Sequence, residues 1–143
     1  MWLRFVIYGL LGWCGEVVWT ALPKRRPVDW RLAGHTTLWM FPIYGRIAPL
    51  YEPLHEALRA WPWPLRGALY AFGFIAVEWL TGWLLARLIG RCPWDYSGRT
   101  RWHCRGYTRF DYFPLWFAVG LALEPVHDLL LRLTPALRAA LGL

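Results

Sequence analysis

Charge is scarce in this chain. Of its 143 residues only 17% are charged, while 57% are apolar and twelve are Trp, against about 25% charged in an ordinary soluble domain. That shortage argues against a water-soluble globule and for a membrane chain. A second absence is the phosphate loop Gly-x4-Gly-Lys-Ser/Thr, so any ATP-driven role requires a separate ATPase subunit. Nucleic-acid motifs are missing too. The formal charge of +7 comes from bases that flank hydrophobic runs, which leaves no nucleic-acid partner in view. No nucleophile triad is visible, and the Ser/Thr-bearing loops lack a base at usable spacing, which disfavours a hydrolase. The three cysteines make no zinc pattern, because Cys92 and Cys104, near His103, lack a second ligand pair. Trp13 before Cys14 spoils a lipoprotein box. The first apolar run has no basic leader or small-residue cleavage site and carries Glu16, so it is expected to remain in the mature protein.

What is present is apolar length. Four windows, at 2–22, 38–58, 65–89 and 113–133, can each cross a hydrocarbon core of ~30 Å as a helix. The expected fold is all-α: a polytopic membrane four-helix bundle in one transmembrane domain over 1–143, with an amphipathic tail at 134–143 lying on the lipid. Ten bases fall in or beside loops 23–37 and 90–112, against five on the opposite side, among them Arg4, Arg59 and Arg66. By the positive-inside bias those loops are cytoplasmic and both termini are outside, in a bacterial-type inner (cell) membrane. The run "PKRRP" at 23–27 also suits anionic lipid, at about 1 kcal/mol per base.

The acids are distributed differently. Asp29, Asp95 and Asp111 fall in loops, whereas Glu16, Glu52, Glu56, Glu78, Glu124 and Asp128 lie inside or at the ends of the apolar windows. An acid at a span centre costs about 3 kcal/mol on insertion scales, so these side chains must face protein or water. Helical spacing agrees. Gly9 and Gly12 share a face with Glu16, Gly45 and Ala48 with Glu52, Ala71 and Gly82 with Glu78, and Gly120 with Glu124. Small residues mark the faces where membrane helices come close.

"EPLHE" at 52–56 returns as "EPVHD" at 124–128. An offset of 72 aligns 30–58 with 102–130 and gives nine identities in 29 positions, including Thr36/Thr108, Phe41/Phe113, Pro42/Pro114, Glu52/Glu124 and His55/His127. An offset of 62 matches Leu3, Arg4, Tyr8 and Glu16 to Leu65, Arg66, Tyr70 and Glu78. The chain thus reads as two tandem helical-hairpin repeats, about 2–58 and 64–133, whose second connecting loop is ten residues longer. Because a two-span unit repeats in the same orientation, the pseudo-twofold axis should run along the membrane normal, and a site on it is built twice from equivalent residues.

Four segments in order, "GWCGEVVWTA" (12–21), "GHTTLWMFPIYG" (34–45), "VEWLTGWLL" (77–85) and "CPWDYSGR" (92–99), resemble the CmpB-like family of type IV ABC-transporter membrane proteins. The vertebrate transmembrane protein 229 proteins are similar. The resemblance covers nearly the whole chain. It implies a permease-like role beside an ATPase subunit, makes Glu16 and Glu78 the family's glutamates, and identifies Trp94, Asp95, Tyr96 and Ser97 as its loop motif. The two Glu-x-x-His pairs depart from many relatives, so no family role passes to His55 or His127.

Those pairs still require a chemical reading. A Glu from each of two helices plus a Glu-x-x-His from each of two others is the ligand set of di-iron and di-manganese carboxylate bundles, supplied here by Glu16, Glu52, His55, Glu78, Glu124 and His127. The topology departs from that class, because an up-down-up-down bundle leaves the two Glu-x-x-His helices parallel. The same six residues also suit a metal-free polar site for an ion, a proton relay, a small molecule or a lipid head group. A third reading has them only fasten helices by pairing with Arg46 and with Tyr and Trp donors; Arg46, Tyr44, Glu56 and Asp128 are secondary candidates for the site. Asp95 and Tyr96 are candidates for a gate or docking point, with Asp95 also suited to capping a turn. These residues leave open whether the chain is an enzyme and whether it forms a homo-oligomer.

Overall fold

The computed structural model describes residues 1–22 and 30–143. Lys24, Arg25, Arg26 and Asp29, and with them the lipid reading of "PKRRP", lie outside the described residues. Five α-helices dominate: α1 (Trp2–Ala21), α2 (Met40–Gly45), α3 (Glu52–Leu58), α4 (Trp63–Ile89) and α5 (Phe113–Leu141). α1 is an unbroken apolar run without proline, and it stops at Leu22, whose extended ψ of 135° suits the residue before Pro23.

The second apolar window is not one straight helix. α2 and α3 are joined through Arg46 and a π turn, Ile47–Tyr51. Pro49 lies in that turn; it has no N–H to give the carbonyl four residues back, so the tight α ladder cannot continue there. Pro42 is tolerated in the first turn of α2, where its missing N–H would have had no helical acceptor.

α4 starts behind the extended Pro62, with Pro64 in its first turn, and ends on Gly90 in the left-handed conformation at φ +78°. Its 27 residues reach about 40 Å. A 3₁₀ turn, Phe110–Tyr112, leads into α5. The helix passes Pro125 and Pro135 and continues to Leu141, so most of the expected separate tail is helix. Thr134 Oγ1 donates to the Leu130 carbonyl one turn back, adding a local bond beside the one that Pro135 cannot make. The third loop adds what an all-α expectation missed, a short antiparallel pair of strands, β1 (His103–Cys104) and β2 (Thr108–Arg109). Arg105 and Gly106, both at positive φ, turn the chain between them.

Among the described residues two helical stretches are long and apolar enough to cross a membrane, Trp63–Ile89 and Phe110–Leu141. α4 shows why: its exposed side carries Leu65, Leu69, Phe72, Leu80, Leu84 and Leu88, so it is apolar on both faces.

The chain divides into two compact units, Met1–Glu52 with Ala136–Leu143, and Pro53–Pro135. In the first, α1 packs on α2 and on the π turn, with Tyr8 and Gly9 of α1, Gly45 of α2 and Ala48 of the turn buried. Gly45 lies under the Phe5 ring, where an added Cβ would come within 2.7 Å of the ring. In the second, Tyr70, Ala71, Ile75 and Gly120 are buried, and Gly67 lies under the Phe117 ring, where a Cβ would come within 2.6 Å. By the two offsets Phe5 corresponds to Gly67 and Gly45 to Phe117. The same contact is filled from opposite helices.

Candidate functional site

In the first unit Glu52 is buried on α3 and held in a two-point clasp by Arg4 of α1. Arg4 Nε donates to Oε1 at 2.7 Å and Nη2 to Oε2 at 2.9 Å. The planar guanidinium fits a carboxylate in this bidentate way, which makes it a strong charge-assisted pair. Tyr8, one turn along α1 and 1% exposed, lies against the same carboxylate. Glu16, two turns further, accepts a bond from Thr36 Oγ1 at 2.8 Å.

The second unit repeats this with the equivalent residues. Arg66 Nε donates to Glu124 Oε1 at 2.8 Å and Nη2 to Oε2 at 2.9 Å. Tyr70 donates its hydroxyl to Glu124 Oε1 at 3.1 Å. Glu78 accepts from Thr108 Oγ1 and, at 2.9 Å, from the Tyr96 hydroxyl. Burial, and next the neighbouring Glu78 carboxylate, push the Tyr96 hydroxyl above its usual range, which keeps it a donor.

Tyr96 reaches Glu78 because the "PWDYS" loop is itself tied down. Trp94 Nε1 donates to the Tyr107 carbonyl at 2.8 Å, and the Tyr96 N–H donates to the Gly106 carbonyl at 3.0 Å. Asp95 accepts from the Ser97 N–H at 2.9 Å and hydroxyl at 2.7 Å, and these bonds hold its carboxyl below the usual range. The guanidinium of Arg109 stacks over the Tyr112 ring at 4.0 Å.

The two histidines are in the second unit and face each other, with ring centroids 5.3 Å apart at 79°. His55 Nδ1 is 2.9 Å from the Tyr70 oxygen. Since that hydroxyl gives its single proton to Glu124, His55 must carry its proton on Nδ1 and donate it to Tyr70, leaving the lone pair on Nε2. His127 Nε2 is 2.9 Å from Glu56 Oε1. Arg59 then bridges two acids, with Nη2 at 2.8 Å from Glu56 Oε1 and 2.7 Å from Asp128 Oδ1.

The residues singled out from sequence are therefore gathered unevenly. His55, Glu124 and His127 share one network, while Glu16, Glu52 and Glu78 are engaged by Thr36, by Arg4, and by Tyr96 with Thr108. Both oxygens of Glu52 and both of Glu124 accept from guanidinium groups. The acids that do gather with the histidines are Glu56 and Asp128, which the sequence ranked second. One ligand atom from each of His55, Glu56, His127 and Asp128 lies within 4.8 Å of all the others, a group able to hold a metal ion. Arg46 makes no side-chain bond to these carboxylates among the described residues, and Tyr44 packs on Gly12. Arg4 and Arg66 were missed as clasping residues. The offset that pairs them, together with Tyr8 and Tyr70, was the signal that marks them.

A sequence profile of the family described as "Putative ABC-transporter type IV" matches residues 3–140. The chain belongs to this family. The match spans both units and every residue of the networks above. No solved structure matches the chain.

Proposed function

We propose that the chain is the membrane-embedded component of a transport system and that its buried carboxylate and histidine network binds a cation. In this reading four spans form two tandem hairpins about a pseudo-twofold axis along the membrane normal. The termini are outside, loops 23–37 and 90–112 face the cytoplasm, and a separate ATPase subunit supplies any ATP-driven step. Family membership and the two apolar helices support the setting. The equivalent clasps of Glu52 and Glu124 support the duplication.

One observation carries the choice of ligand. In the second unit three carboxylates, Glu56, Glu124 and Asp128, share two guanidinium groups, Arg59 and Arg66, beside two histidines. With the histidines neutral, one negative charge of this network is left over, beside two buried imidazoles. A bound cation removes that surplus; an anion would add to it.

The test is charge displacement in proteoliposomes on a solid-supported membrane. Jumps in Na⁺, K⁺, Mn²⁺ or Zn²⁺ should give a saturable transient with at least one of them, and Glu124→Gln, which cancels the surplus, should reduce it severalfold while helix content is unchanged. Transients equal to those of protein-free vesicles for every cation would sink the reading.

A further inference from the structure

We infer that the group formed by His55, Glu56, His127 and Asp128 is a binding site for one divalent transition-metal cation of the Zn²⁺ class, with Arg59 as the group that occupies it when no metal is bound. This deepens the cation reading above and rests on it.

The donor chemistry comes first. Two imidazoles and two carboxylates suit a borderline cation in four-coordinate geometry, and the 4.8 Å spread of their ligand atoms allows one ion to be shared after small side-chain shifts. His55 is already oriented for this. Its Nδ1–H is tied to Tyr70, which is tied in turn to Glu124, the hydroxyl-and-carboxylate support that fixes tautomer and ring orientation in metal-binding histidines. An ion held by His55 would be held through Nε2.

Charge comes second. Arg59 neutralises one of the two charges of Glu56 and Asp128, whereas a divalent ion neutralises both. The side chains of Arg59, Glu56 and Asp128 are 46%, 49% and 38% exposed, so the guanidinium can swing into water and leave its place. The histidines behind it are 2% and 1% exposed and cannot move away. The assembly is thus a buried pair of nitrogens closed by an exposed, displaceable cation. Each repeat contributes one His and the acid that follows it.

The experiment uses the full chain in detergent micelles, stripped with a chelator and titrated with Zn²⁺ against a chelating dye. Wild type should bind close to one equivalent. E56Q/D128N, which changes only exposed carboxylates, should weaken binding at least tenfold, and H55N/H127N should weaken it further. R59Q should strengthen it severalfold, because the competing guanidinium is gone. Co²⁺ in place of Zn²⁺ should give the intense visible absorption of a four-coordinate site, absent from E56Q/D128N. The inference is overturned if wild type and R59Q both bind no Zn²⁺, or if E56Q/D128N binds as wild type does. In either case, monovalent-cation displacement that remains sensitive to Glu124→Gln leaves the broader cation reading standing, whereas its loss removes both.

Discussion

Arg4 on Glu52 and Arg66 on Glu124 are the same device at distances that agree within 0.1 Å, yet the second clasp leads on to the histidines. Arg66 also caps the Trp61 carbonyl at 2.7 Å, and Glu124 receives Tyr70, which connects it to His55. Among the described residues, Glu16 is met by Thr36, whereas Glu78 is met by both Thr108 and Tyr96. The added partner, Tyr96, comes from the second connecting loop. Two clasps of one geometry thus sit in different company, and the second leads on to the histidines.

The largest effect should come from opening the clasps. Arg4→Ala leaves Glu52 buried and uncompensated, which costs about 3–5 kcal/mol if the carboxylate stays ionised. Arg66→Ala should lower the melting temperature in micelles still further, since it also frees the Trp61 carbonyl and disturbs the Tyr70 and His55 chain. Equal losses for the two variants would mean that the extra bonds of the second clasp contribute nothing.

A middle-sized effect tests the exchange of bulk between helices. Gly67→Phe alone forces a ring against Phe117 and should destabilise by about 1–3 kcal/mol or more. The double change Gly67→Phe with Phe117→Gly rebuilds the arrangement that Phe5 and Gly45 use in the other unit. It should recover much of that loss, giving a favourable coupling of about 0.5–3 kcal/mol in a double-mutant cycle. Additive losses would show that the two contacts are not interchangeable and would weaken the case for duplication.

Helix positions and buried acids were legible because both rest on strong, local physics. Apolar runs must become helices in lipid, and an acid among small residues must face inward; Glu52, Glu78 and Glu124 all prove to be bonded by protein groups. The π turn at Pro49 was harder to foresee, since Pro42 and Pro53 lie in the same window and pass within helices. The partners of the acids were hidden for another reason. Arg4 and Arg66 sit at the ends of apolar windows, where topology alone accounts for a basic residue, and only their match under the 62-residue offset distinguishes them from Arg132 or Arg138. Glu56 and Asp128 were undervalued because the Glu-x-x-His spacing drew attention to Glu52 and Glu124. The hairpin of β1 and β2 is two residues per strand, too short for alternation to reveal.

The smallest effect concerns the loop that distinguishes the hairpins. Cys92 follows α4 and packs near Gly82, and burial pushes its thiol up to about 11. The neutral thiol is therefore favoured by the folded loop. This contribution is intact below the ordinary thiol value of about 8.5–9 and is lost as pH rises from there towards 11. At pH 8 only about a thousandth of Cys92 should be thiolate, and since the thiolate is the nucleophile, alkylation should be slow and accelerate about tenfold per pH unit. Tyr96→Phe removes the bond between loop and Glu78, so it should expose Cys92, lower its titration midpoint and quicken alkylation severalfold at pH 8. If the rate at pH 8 is the same in wild type and Tyr96→Phe, the extra loop is held by Trp94 and Gly106 alone, and the added bond to Glu78 is not what closes the second hairpin.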